Sequence, residues 1–265
     1  LEIGLVLSRF FFNTEHLHFG YWPDNFPLNI DNLKQAQDNH SDQIINAIPE
    51  NVDTILDVGS GSGGLAEKLI EKKYKVDCVS PSEYLSDAIE EKLINKVKVH
   101  RSTFENLNID KKFDLVIFSE SFQYVNIQKT LSKVPGFLNE NAHFLICDFF
   151  RKPGTGSKLL GGGHDWDEFY NEICSSPFTN ILDQDITLET ARTYDLINKI
   201  INNVAEPVRD LSAKYLNSNY PKIMKLLKWY LDKKIKRINR IYFSGSMTGE
   251  TFINLKTYRL LLYRL

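Results

Sequence analysis

Ile55-Leu56-Asp57-Val58-Gly59-Ser60-Gly61-Ser62-Gly63-Gly64 decides the fold. Thr54 to Val58 reads as a short β-rich run, and Leu65 to Lys72 has the apolar spacing of an amphipathic helix. A strand therefore feeds a glycine turn that opens a helix. Glycines let the backbone take positive φ and approach a ligand closely. The exposed N–H groups at the helix start suit a carboxylate or a phosphate. Asp57 stands two residues before the first glycine, where it can accept from a ligand ammonium and would repel a pyrophosphate. No Lys-Ser/Thr pair follows, as a nucleotide-triphosphate loop would require. A ligand carrying both an amino group and a carboxylate fits this loop best.

Outward from the loop, strands and helices alternate. Val76 to Val79, Val97 to Val99, Phe113 to Phe118 and His143 to Phe149 read as strands, with helices over Tyr84 to Leu93 and Gln128 to Val134. Continuous apolar strands in such an alternation predict a parallel sheet covered on both faces. Upstream, Asn29 to Ile48 carries near-helical apolar spacing. Downstream come the glycine-rich loop Gly154 to Gly163, a helix over Asp165 to Cys174, a strand over Thr179 to Ile186, a helical Thr190 to Ile241 and a final strand at Tyr258 to Leu265. The expected organisation is an N-terminal lid segment (1–50), a cofactor-binding core (51–189), a helical insertion acting as substrate lid (190–245) and a last strand returning to the core (246–265).

Composition narrows the function. The 265 residues are 42% hydrophobic and 25% charged with a formal net charge of −2, so the whole molecule has no polyanion-binding signature. Cys78, Cys147 and Cys174 have no metal or disulfide spacing, and neither a metal nor a disulfide framework is expected. No apolar run reaches the roughly 20 residues of a membrane span, and the N-terminal stretch has no signal-peptide anatomy. The expected compartment is the cytoplasm.

The segment Asp57-Val58-Gly59-Ser60-Gly61-Ser62-Gly63 resembles the first motif of the class I, Rossmann-like S-adenosylmethionine-dependent methyltransferases. The resemblance implies a seven-stranded, mostly parallel sheet whose last strand is antiparallel and inserted beside the fifth. It implies S-adenosyl-L-methionine as cofactor and S-adenosyl-L-homocysteine as product. Carried over residue by residue, Asp57, Gly59, Ser60, Gly61 and Gly63 form the methionine cradle. Ser80, Pro81 and Ser82 stand where the family usually has an acid on the ribose, which is a departure. Thr103, Phe104 and Glu105 fall beside the adenine, and Ser119 and Glu120 under the methionine moiety and methyl group. His18-Phe19-Gly20-Tyr21-Trp22 resembles the N-terminal lid segment of small-molecule methyltransferases acting on sterols, tocopherols, prenyl diphosphates and sugars, and there Tyr21 would reach the cofactor.

Substrates of open α/β sheets sit beyond the carboxyl ends of the strands. His18, Trp22, Gln123, Tyr124, Arg151 and Trp166 are the candidate substrate contacts, and Phe19 and Phe122 add to the aromatic mouth. His164, set among glycines, is the first candidate base and Glu120 the second. His16 and His143 read as structural. The expected reaction moves a methyl group to O, N or C of a small, partly apolar or aromatic metabolite. Two alternatives stay open: a lipid- or carrier-tethered natural-product intermediate, or a cofactor-binding scaffold without turnover. A nicotinamide dehydrogenase would want an acid after the second strand and none at Asp57. Nucleic-acid methylation lacks its Pro-Pro-Tyr/Phe motif. The basic Thr190 to Ile241 insertion is the place for a carrier protein or membrane surface to dock, and a homodimer is left open.

Overall fold

A computed structural model describes residues 2–155 and 160–265. Seven strands form one sheet: β1 (Thr54–Val58), β2 (Lys75–Val79), β3 (Lys98–His100), β4 (Phe113–Ser119), β5 (Leu138–Arg151), β6 (Thr179–Asp185) and β7 (Lys256–Arg264), in the order β3-β2-β1-β4-β5-β7-β6. The first five strands pair in parallel, and β7 runs antiparallel between β5 and β6. This is the expected topology, including the inserted last strand. The central strands are buried almost throughout because helices cover both faces, which is why they read as unbroken apolar runs.

The helices are α1 (Glu2–Phe12), α2 (Leu33–Asn46), α3 (Gly64–Glu71), α4 (Glu83–Lys92), α5 (Ile127–Lys133), α6 (Trp166–Cys174), α7 (Thr187–Ile200), α8 (Glu206–Asn219), α9 (Pro221–Tyr242) and α10 (Gly249–Leu255). One core face joins Phe118, Phe122, Phe144, Phe150 and Phe169; the other joins Ile55, Leu69, Ile117, Tyr194, Phe252 and Tyr258. α1 and α10 have no clear periodic signal in sequence. α1 is fastened by Leu5, fully buried against Leu85 and Ala88, so tertiary packing makes it a helix.

The stretch read as one insertion divides in two. α7 packs into the body through Thr190, Ala191, Thr193, Tyr194 and Leu196. A π-helical segment, Ile201–Ala205, leads on into α8, and neither α8 nor α9 buries a single residue. Of the glycine loop Gly154 to Gly163, residues 156–159 lie outside the described residues. Among the described residues, no helix is long and apolar enough to cross a membrane.

Candidate functional site

The carboxyl ends of β1 to β4 open onto one cavity of 320 Å³. Asp57 to Ser62, Val79 and Pro81, Ser102 to Glu105, and Ser119 to Ser121 with Tyr124 and Val125 form its walls, and His16 to His18 close it from the N-terminal side.

Two features of the cradle fit an amino-acid-bearing ligand. Asp57 is buried, and its Oδ2 has no hydrogen-bond partner among the described residues. Burial pushes its carboxyl up to about 7, offset in part by Ser60. A ligand ammonium would supply the missing partner and restore the ionised form. Gly61, at φ +56°, lines the cavity, and a Cβ there would meet nothing within 4 Å. That open space is where a ligand can approach the main chain. These residues fit the S-adenosylmethionine expected from sequence.

Gly59 has a different role. At φ +78°, a Cβ would stand 2.4 Å from Ser121 Cβ, so this glycine lets β1 and the turn after β4 meet. Gly63 packs against Ile89 at the start of α3 and does not line the cavity. Ser80 is buried and its carbonyl receives the Ser102 N–H, whereas Ser82 caps α4 through the Leu85 N–H and donates to Glu2. From that triplet only Pro81 faces the cavity.

Glu120 lines the floor of the cavity. It is a non-glycine residue at φ +50°, a costly backbone state that clusters at functional sites. Its Oε1 accepts from the Phe19 N–H and the Tyr258 hydroxyl, each at 2.7 Å. Its Oε2 accepts no hydrogen bond among the described residues. Burial, with Asp148 nearby, lifts the carboxyl to about 8. Behind it, His40 Nε2–H donates to the Tyr258 hydroxyl at 2.9 Å, and burial drives that imidazole down to about 3. His40 is therefore neutral, with Nδ1 as its unpaired acceptor. Asp148 is held by the Gln123 backbone and side chain and by the Phe149 N–H. His18, His40 and Glu120 bring one ligand-type atom each within 4.8 Å of one another. These groups are engaged in the bonds just described and in His18 Nδ1–H to Phe19 O, at 2.8 Å.

The N-terminal motif is a strap. Gly20 N–H and Trp22 Nε1–H both donate to Thr193 Oγ1, and the Arg192 guanidinium gathers the carbonyls of Trp22, Pro23 and Phe26. Trp22 is fully buried with Leu33, Ala36 and Leu196, where it anchors the strap. Tyr21 is held in the strap likewise. Its backbone bonds Ala36, and its phenol lies near Glu189 and Asp24, outside the cavity lining. His18 does line the cavity as expected, and so does His16, which the sequence reading had set aside as structural.

His164 is not placed as a base. Its Nε2–H donates to Phe122 O at 2.9 Å and its ring stands edge-on to Phe122, tying two loops together. Gln123 serves Asp148, Arg151 ends β5, and Trp166 packs on Phe150, Phe169 and the Arg259 guanidinium; none lines the cavity. Phe122 is core. Tyr124 remains at the rim, 72% exposed. The reading missed His40 and Tyr258, which carry no motif, and Ser102, Ser121 and Val125, which flank positions it did name.

Residues 55–141 match the model of a methyltransferase domain. Among curated proteins none matches the sequence. The fold is similar to that of a geranyl diphosphate methyltransferase in complex with GPP and sinefungin (14% identity over 99% of this chain and 92% of that one, TM-score 0.71). It is similar to the geranyl diphosphate C-methyltransferase of Streptomyces coelicolor A3(2), in complex with Mg2+, geranyl diphosphate and S-adenosyl-L-homocysteine (15%, 94% and 89%, TM-score 0.66). It is also similar to the [4+2]-cyclase SpnF (14%, 94% and 87%, TM-score 0.64).

Proposed function

We propose that this chain, an S-adenosylmethionine-dependent methyltransferase by its domain and its fold, methylates a small, partly apolar metabolite that gives up a proton as the methyl arrives. The observation that carries the reading is Glu120, which lines a ligand-sized cavity and whose Oε1 is held by two donors while its Oε2 accepts no hydrogen bond among the described residues.

The cofactor, when bound, would supply an electrophilic sulfonium methyl. Asp57 would hold its ammonium, and the Gly59 to Gly61 main chain would pass beside its methionine portion. The positive charge beside Glu120 would favour the carboxylate over the carboxylic acid. Oε2 would then accept the proton from the acceptor's hydroxyl, amine or carbon, as the acceptor's electron pair forms the new bond to methyl carbon. Phe19 N–H and Tyr258 hold the other oxygen, so the base keeps one orientation. Leu17, Phe104, Val125 and Tyr124 give the cavity its apolar wall, which favours an acceptor with apolar or aromatic surface.

Thermal unfolding with S-adenosylmethionine, S-adenosylhomocysteine, NAD and ATP tests the cofactor. At 100 times Kd a ligand adds roughly 2.7 kcal/mol, so the two adenosyl-sulfur ligands should raise the midpoint and the others should not. Incubation with labelled S-adenosylmethionine and phenols, prenyl lipids or amines then tests transfer. Label reaching none of these classes, from a protein that binds the cofactor, would overturn the proposed acceptor chemistry.

A further inference from the structure

α8 and α9 leave the body as a helical hairpin that contributes nothing to the cavity and buries none of its own residues. α9 carries eight lysines and arginines against one acid, Asp232, whose ion pair with Lys236 is the one that α9 makes among the described residues. At 100° per residue, Ile223, Leu227, Tyr230, Leu231, Ile238 and Ile241 fall on one side of the helix, with Lys234 and Arg237 among them, and Lys222, Lys225, Lys233, Lys236 and Arg240 fall on the other. The apolar side finds little cover: Ile223 is 56% exposed, Tyr230 77% and Ile238 48%.

We propose that α9 docks on an anionic lipid bilayer, lying in the headgroup plane with its apolar stripe inserted. A basic polar face, an apolar face with aromatic residues and low overall hydropathy are the features of such interfacial helices. Lysine stems extend along the apolar surface and carry their ammonium groups up to the phosphates. The charge distribution selects this occupant over a second copy of α9. Two α9 helices packed along their apolar stripes would bring sixteen cations together against two acids, whereas an anionic surface neutralises them. The whole chain is −2, so everything outside α9 is net acidic and is repelled from the same surface. The hairpin is therefore the part that would face the membrane. This surface is independent of the reaction proposed for the cavity.

Flotation with phosphatidylcholine vesicles, with and without phosphatidylserine, tests it. The protein should float with the mixed vesicles, stay behind with phosphatidylcholine alone, and be released by high salt. In a Trp229→Phe background, a tryptophan placed in the stripe by Tyr230→Trp should shift its emission to the blue on binding. Reversing Lys222, Lys225 and Lys233 to Glu should weaken partitioning by at least about tenfold, and Leu226→Ser with Tyr230→Ser should do the same. An unchanged thermal shift with S-adenosylmethionine shows that the variants are folded; should a variant unfold, the salt-sensitive flotation of the unaltered protein decides alone. No partitioning to anionic vesicles, equal partitioning of both variants, or a dimer in sedimentation that Leu226→Ser with Tyr230→Ser dissociates would each overturn the proposal. The last would make the face a contact between copies.

Discussion

The Tyr258 hydroxyl donates to Glu120 Oε1 at 2.7 Å, joining the last strand to the turn after β4 across 138 residues of sequence. His40 Nε2–H stands behind the phenol at 2.9 Å, so a helix, a strand and a turn share one buried polar chain.

That bond stabilises the ionised form of Glu120. Tyr258→Phe removes the donor and keeps the ring. The Glu120 carboxyl should then rise above about 8, and less of it should be carboxylate at neutral pH. The acid limb of kcat/KM against pH should move upward, with cofactor affinity little changed. An identical profile in wild type and variant would show that the phenol only fills space.

Asp57 makes cofactor affinity depend on pH. Its folded-state carboxyl lies at about 7, above an ordinary value of 3.8. In the ligand-free protein its contribution to stability is therefore present at low pH and is lost as pH rises from 3.8 toward 7. A ligand ammonium needs the carboxylate, so binding at pH 6 includes the cost of deprotonation. Affinity should tighten about eightfold between pH 6 and pH 7.5, with protons released on binding. Calorimetry in two buffers of different ionisation enthalpy measures both. Asp57→Asn should bind more weakly and release no such proton; a proton release equal to wild type would remove Asp57 from the ammonium site.

The two cavity glycines should fail differently. Gly61→Ala puts a Cβ into empty cavity at φ +56°, costing roughly 1–2 kcal/mol of backbone strain and blocking the ligand's approach. Gly59→Ala drives a Cβ to within 2.4 Å of Ser121, so the β1–β4 junction must shift. The ligand-free midpoint should fall more for Gly59→Ala, while Gly61→Ala should lose most of the shift given by S-adenosylmethionine. If Gly61→Ala kept the full ligand shift, the cradle would be wrongly assigned.

The fold was legible because parallel strands covered on both faces must be apolar along their length, and the strand-glycine-helix junction at Val58 to Gly64 stands out within them. Asp57 was legible because it sits at a fixed step from that junction. Glu120 was legible for a similar reason, at the end of β4. Tyr258 and His40 were not. Their meeting with Glu120 depends on β7 threading between β5 and β6 in a register that sets Tyr258 against Phe149, and no local pattern encodes this. Trp22 and His164 lie outside the cavity lining for one shared reason. An aromatic motif and a histidine among glycines look chemical, yet Thr193 and the Phe122 carbonyl, distant in sequence, take up their donors.

His164 gives the last discriminating variant. Its Nε2–H bond to the Phe122 carbonyl braces the turn Phe122–Tyr124, next to Glu120, and nothing brings it into the cavity lining. His164→Ala should cost about 1 kcal/mol for the lost bond, seen as a lower unfolding midpoint. The pH dependence of kcat/KM should keep its shape if, as proposed, Glu120 is the base. His164→Asn retains a donor and should recover part of the stability. Loss of the acid limb in His164→Ala, with the fold intact, would restore histidine as the base and move the reacting atoms away from Glu120.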